Sequence, residues 1–338
     1  QDQAQILSGV MDGLTIGAPV ALRIENRNHD QWLGQAIPPF TTPRPGHADL
    51  TAAIKYGYRD LRPSLERASA RETAARVAVG AVCKHFLAQF EIQVGGYVVS
   101  IGDVGADLSD LDYPTRFQQA EESQVRCPDS EASAAMIAAI ETVIESGDTL
   151  GGVIEAVALN LPPGLGSHVH WDRRLDSRLG AAVLGIQAIK GFEIGPAFAN
   201  TRLPGTQVHD AIQRTPDSQS LTRPTNRAGG LEGGITTGQP LVVRAAMKPI
   251  ATTLTPQDTV DLASGKPTPT QYERSDFCPV PRAVPVVESV VAHVLADALI
   301  EKLGGDSLTE MKPRFQALRR ARLDDLAMDD APHTWWPK

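Results

Sequence analysis

The chain has 338 residues, 42% of them apolar and 21% charged, with a formal net charge of −8 at pH 7. That is the composition of an ordinary globular protein with one large core or two modest ones, and the acidic balance excludes non-specific nucleic-acid binding, which needs a basic footprint. Cys83, Cys127 and Cys278 are widely separated and form no CxxC pair, which argues against a disulfide framework or zinc site and fits the reducing cytoplasm.

Helical and strand patterns then alternate, punctuated by 29 glycines and 25 prolines. Alternation and β-branched content predict strands over residues 19–26, 97–101, 152–160 and 240–247. Helical spacing predicts helices over 64–90, 130–146, 176–190 and 287–303. The second is the best bounded, entered through Pro128 and Asp129 and stopped by Gly147. The apolar run 284–300 is broken by Glu288, His293 and Asp297, so it reads as an amphipathic helix and not as a membrane span; no membrane partner is expected. No fixed-period repeat or low-complexity linker interrupts the chain. One domain over 1–312 followed by a charged tail over 313–338 is the expectation. Periodicity alone specifies mixed α and β and leaves an α/β arrangement open.

Residues 43–76 carry the densest chemistry. Arg44, His47, Asp49, Lys55 and Arg59 precede a helix start near Ser64, and Arg67 and Arg71 follow at i, i+4. Two cations so spaced on a helix repel by roughly 0.2–0.5 kcal/mol, and at its positive end each is disfavoured by about 0.3–1 kcal/mol more. From Ala74 to Val82 the helix is apolar on nearly every side, which places it in a core. A cationic pair at such a start fits an anion bound between the guanidinium groups and the free N–H groups. The competing reading is that Glu66 and Glu72 neutralise the arginines.

A second segment, 226–238, contains Gly229, Gly230, Gly233, Gly234 and Gly238. It matches neither GxGxxG after a strand nor GxxxxGK[ST], so it indicates no dinucleotide or P-loop site. It suits either close approach to a ligand or a tight connection between packed elements. His168 and His170 are a close pair, but no carboxylate or cysteine pattern accompanies them and no metal site is expected.

RPGHAD (44–49), KYGYRD (55–60) and ERASARETAARVAVGA (66–81) are followed in order by PPGLG (162–166), IQAIKGFEIG (186–195) and NRAGGLEGGITTGQP (226–240). KPIAT (248–252) and RSDFCPVPRAVPV (274–286) complete the set. Together these blocks resemble the chorismate synthases over nearly the whole chain. The resemblance implies an α+β fold, a β-α-β sandwich with helices packed between antiparallel sheets. It implies FMN held by Arg67, Ala68, Ser69, Gln187, Ala188, Gly233, Lys248, Pro249, Ile250, Ala251, Thr252 and Arg274. Arg44, Arg71 and Arg274 match substrate-binding positions. Ala251 stands where many members carry a second proline, and Ala68 and Tyr58 also depart from common family choices.

The implied substrate is 5-enolpyruvylshikimate 3-phosphate, whose two carboxylates and phosphate (about −1.5 to −2 charge) require a dense cationic pocket. The implied reaction is a 1,4-anti elimination of phosphate giving chorismate, a carbon–oxygen lyase step driven by reduced FMN with no net oxidation. His47 matches the histidine that stabilises the reduced flavin near N1. Asp276 matches an aspartate near flavin N5. A homotetramer and an external flavin reductant are expected, and whether NADPH serves in that role is left open. The family's opening GESHG and GRG-type segments lie upstream of the first residues here, QDQAQILSGV. The expectation is therefore a longer natural gene product supplying a second histidine; the chain alone would bind FMN weakly and make no chorismate. The rival expectation is a noncatalytic flavin- or anion-binding paralogue or fragment.

Overall fold

The computed structural model describes residues 3–26, 29–216, 218–273 and 275–336. At its centre is a five-stranded antiparallel sheet in the spatial order β6–β5–β7–β13–β8. Its strands are β5 (Gln93–Ile101), β6 (Val104–Gly105), β7 (Gly152–Leu159), β8 (Ile189–Ile194) and β13 (Leu241–Met247). Alternation puts Val98, Ile154, Ala156, Val243 and Ala245, all fully buried, in the main core. The opposite face buries Tyr97, Val157 and Val242 under Phe117 of α4 (Tyr113–Glu122).

The core face is covered by α9 (Val280–Leu303), flanked by α6 (Leu175–Leu184), and α3 (Thr73–Ala88) packs across α9. Beyond α3 lies a ribbon of β1 (Ala4–Ser8) and β4 (Ala21–Ile24), between which runs the β2–β3 hairpin (Val10–Met11, Leu14–Thr15). Sheet, helices and ribbon make an α+β, β-α-β sandwich. Smaller pieces sit at its margins: α1 (Asp49–Tyr56), α2 (Arg62–Ala68), α5 (Ser130–Ser146), α7 (Ala197–Asn200) and α8 (Gly205–Val208). The ribbons are β9–β10 (Gln213–Arg214, Leu221–Thr222), β11–β12 (Leu231–Glu232, Ile235–Thr236) and β14–β15 (Asp258–Asp261, Lys266–Pro269). Last, α10 (Leu308–Gln316) runs across residue 313, and Phe315 packs on Phe90 at a ring separation of 5.1 Å.

Several expectations are corrected. Residues 64–90 are not one helix. Ser69 is extended (φ −61°, ψ 139°) and its hydroxyl accepts the Arg71 N–H at 3.3 Å, ending α2 and opening a 3-10 turn before α3. Serine competes for backbone groups and favours such caps over helix interiors. Nor is the start of α3 wrapped by core: Ala75 is exposed, as are Val79 and Val82 at 45% and 48%. The helix over 176–190 stops at Leu184, and Ala188 takes a left-handed conformation (φ 65°) that turns the chain into β8. α9 begins at Val280, ahead of the expected 287, because Pro281 falls in the first turn where no N–H is needed. It is also buried on most of its circumference, Glu288 included, and not amphipathic. Its length and hydropathy would suffice to cross a membrane, but 78% of that window is buried inside the protein.

Candidate active site

The loop before α1 is clamped from behind by the β14–β15 ribbon. Thr259 Oγ1 donates to the Pro43 carbonyl at 2.6 Å, and Thr41 Oγ1 donates to Asp261 Oδ1 at 2.7 Å. This delivers Arg44 into the interior at 7% exposure. Arg44 Nε donates to Asp49 Oδ2 at 2.9 Å, Nη2 to Asp49 Oδ1 at 3.2 Å, and Nη1 to Thr252 Oγ1 at 3.1 Å. His47 Nδ1 lies 2.6 Å from Asp49 Oδ1. Asp49 is fully buried; burial raises its pKa, but the hydrogen bonds from His47 and Arg44 outweigh that and hold the carboxyl well below the ordinary range.

Gly46 joins this knot to the loop after β13. It is left-handed (φ 74°), and a Cβ there would lie 3.7 Å from the Ala251 methyl and 3.9 Å from Lys248 Nζ. The 248–252 segment is fixed on two more sides. The Lys248 N–H donates to the Ala188 carbonyl at 3.0 Å, and Thr149 Oγ1 donates to the Ile250 carbonyl at 2.8 Å. Burial and the neighbouring Lys190 both lower the Lys248 pKa. Lys190 and Lys248, the latter close to Gly46 of the Arg44–His47 loop, make a local cationic field in an acidic protein. Next to Ala188, Gln187 Oε1 is a buried acceptor with no partner among the described residues. A ligand offering a phosphate and an N–H donor would satisfy both features.

A family model described as chorismate synthase matches residues 1–300. The chain belongs to the chorismate synthase family. A chorismate synthase of Trichlorobacter lovleyi is 52% identical over 327 residues, 92% of this chain and 83% of that protein. One of Aquifex aeolicus is 50% identical over 333 residues, 94% of this chain and 83% of that protein. A crystal structure of chorismate synthase superposes with a TM-score of 0.76 at 46% identity, covering 93% of this chain and 83% of that one.

The structure gathers most of the residues the family resemblance implies. Arg44, His47, Ala188, Lys248, Ile250, Ala251 and Thr252 are joined by the contacts above, with Pro249 and Gln187 in the same two loops. Arg67, Ala68 and Ser69 connect to them through Glu72, whose carboxylate takes Arg67 Nη1 at 2.6 Å and Arg76 Nη2 at 2.9 Å and is hydrogen-bonded by Gln187. Glu72 thus neutralises Arg67, which is 79% exposed. The break at Ser69 also separates the expected cationic pair: Arg71 turns to β4, donating to the Glu25 carbonyl at 2.8 Å.

Asp276 is held by Arg282, with Nη1 2.8 Å from both carboxylate oxygens, and the next carbonyl, Phe277, accepts the Leu150 N–H at 2.9 Å. That places Asp276 near the strand end whose Thr149 grips the 248–252 loop. Gly233 stands elsewhere, in the β11–β12 turn with His168 beside it. Arg274 lies outside the described residues. Sequence reading gave no role to Asp49 or Lys190; the HAD triplet and the lysine of IQAIKG were the available signals.

Proposed function

We propose that this protein catalyses the chorismate synthase reaction, the 1,4-anti elimination of phosphate from 5-enolpyruvylshikimate 3-phosphate to give chorismate. One observation carries the reading to these residues: Arg44, which also holds His47 through Asp49, bonds Thr252 of the loop 248–252, whose Lys248 neighbours Lys190, in a chain of this family. A noncatalytic paralogue is the less favoured reading, because half-identical relatives over more than nine-tenths of the chain carry the enzyme's name.

FMN would be held by Arg67, Ala68, Ser69, Gln187, Ala188, Gly233, Lys248 to Thr252 and Arg274; when reduced it supplies the electron density that loss of an unactivated allylic phosphate requires. Lys248 and Lys190 offer charge to phosphate or carboxylate oxygens. Gln187 offers a desolvated acceptor to a ring N–H. Arg44, Arg71 and Arg274 are assigned to substrate; Arg44 acts from a fixed, buried position and contributes field as much as contact. His47 would hold a proton for the reduced flavin, and Asp276, oriented by Arg282, would assist removal of the ring hydrogen. An external reductant keeps the flavin reduced.

We assign the chain to one domain and to the cytoplasm, where its three free thiols would stay reduced. We also assign it to a homotetramer. The apolar positions left exposed on α3 (Val79, Val82) and on the β1–β4 region (Ile6 at 58%, Leu14 at 72%) support burial against further copies. Anaerobic flavin titration of the natural gene product tests the site: reduced FMN with substrate should bind more tightly than oxidised FMN alone. Equal affinity in the two redox states would remove His47 and the lysines from the flavin's surroundings.

A further inference from the structure

Asp49 has all its acceptor capacity committed. Oδ2 accepts from the Arg44 backbone N–H at 3.1 Å and from Arg44 Nε at 2.9 Å; Oδ1 accepts from Arg44 Nη2 at 3.2 Å and faces His47 Nδ1 at 2.6 Å. The carboxyl is fully buried and, with its pKa held well below the ordinary range, ionised at neutral pH. An ionised carboxylate can only accept, so a 2.6 Å contact requires the hydrogen to sit on His47 Nδ1.

Arg44 does not compete for that nitrogen. Its Nη2 is 3.1 Å from Nδ1 and 3.3 Å from Nε2 of His47. An atom nearly equidistant from both ring nitrogens at this range cannot lie in the ring plane without striking the carbon between them. It sits over the imidazole face, where it packs on the ring and fills neither lone pair.

We infer that Asp49 is a positioning residue that locks His47 in the Nδ1–H tautomer, leaving Nε2 as the one ring nitrogen able to exchange a proton with a bound ligand. The same carboxylate sets Arg44, so the ring and the guanidinium are aligned by one anion. In the neutral ring Nε2 presents a lone pair, and in the protonated ring it presents N–H; the ring cannot turn over without giving up the Asp49 bond. The role rests on the reading of His47 as a ligand-facing group. The tautomer does not, and it can be measured with no flavin or substrate present.

The test is nitrogen-15 NMR of histidine-labelled, flavin-free protein at a pH where the imidazole is neutral. His47 should show a pyridine-type Nε2 and a protonated Nδ1. Asp49→Asn should reverse this. Its single carbonyl oxygen is claimed at the Oδ2 position by two Arg44 donors, which turns the amide NH2 toward His47 and forces Nδ1 to accept. Thr252→Val, which removes an Arg44 partner without touching the ring, should leave the tautomer unchanged. Should Asp49→Asn not fold, the wild-type spectrum alone decides. A predominantly Nε2–H ring in the wild type overturns the inference, and so does a folded Asp49→Asn protein that keeps Nδ1–H.

Discussion

Lys84 on α3 and Glu288 on α9 form an ion pair across the two helices that cover the sheet, with the Glu288 side chain 8% exposed and Lys84 36%. Burial pushes the Glu288 pKa above the ordinary carboxylate value; Lys84 and Arg126 lower it in part, and Glu121 adds to the rise. The pair joins the two elements that also meet at Gly80 and Ser289.

The sign of the resulting pH dependence is fixed. A carboxyl whose folded pKa is raised binds protons more readily folded than unfolded, so stability is highest below about pH 4.5 for this group and falls as pH climbs through the folded value. Urea unfolding across that window should show the decline, and Glu288→Gln should flatten it. Lys84→Ala should cost about 1–3 kcal/mol at neutral pH by leaving the carboxylate unpaired, a figure reduced by the exposure of Lys84. Asp49 gives the opposite slope: its depressed pKa contributes stability above about pH 4 that is lost as pH falls further.

Gly80 lets α3 approach α9 closely at Ser289. A Cβ added there would sit 2.2 Å from Ser289 Cβ and 2.5 Å from its Cα, with backbone on one side and no flexible tip to yield. Gly to Ala in a helix ordinarily stabilises by roughly 0.5–1 kcal/mol. Here overpacking dominates, and Gly80→Ala should lower stability by about 1–3 kcal/mol in denaturant unfolding. A gain in stability would mean that the helices do not cross at this point.

Lys248→Met should weaken reduced FMN by about tenfold to a hundredfold, the loss of one charge-assisted hydrogen bond worth about 1.5–3 kcal/mol. Because burial and Lys190 lower the Lys248 pKa from 10.5, flavin affinity should decline with rising pH sooner than an ordinary lysine would dictate. Lys190→Met should move that decline to higher pH. Fluorescence titration over an alkaline series reads both effects.

Much of this was legible before the fold. The helix Ser130–Ser146 has the bounds its cap and stop residues predict, because Asp129 accepts the Glu131 and Ala132 N–H groups and Gly147 is left-handed (φ 70°). Three strands of the sheet, β5, β7 and β13, likewise fall where alternation places them, whereas β6 and β8 have no such signal and β8 begins inside a stretch with helical spacing. The helix over 64–90 failed at Ser69, where one hydroxyl redirects the backbone inside a helix-favouring sequence. With that break went the picture of Arg67 and Arg71 on one face. Asp49 was hidden for a different reason. It stands two residues from His47, and only the fold of the loop pinned by Thr259 and Thr41 brings its carboxylate under both His47 and Arg44. Lys190 approaches Lys248 because β8 pairs with β13, a register that no local pattern encodes.

If the cationic loop serves a flavin-dependent elimination, the flavin's redox state is the same after each turnover as before it. The most direct test is an anaerobic assay of the natural gene product with chemically reduced FMN and 5-enolpyruvylshikimate 3-phosphate, following chorismate, phosphate and flavin absorbance together. Chorismate and phosphate should appear in equal amounts over many turnovers, with the flavin as reduced at the end as at the start. Phosphate release without FMN, or product formed in step with flavin oxidation, would contradict the account.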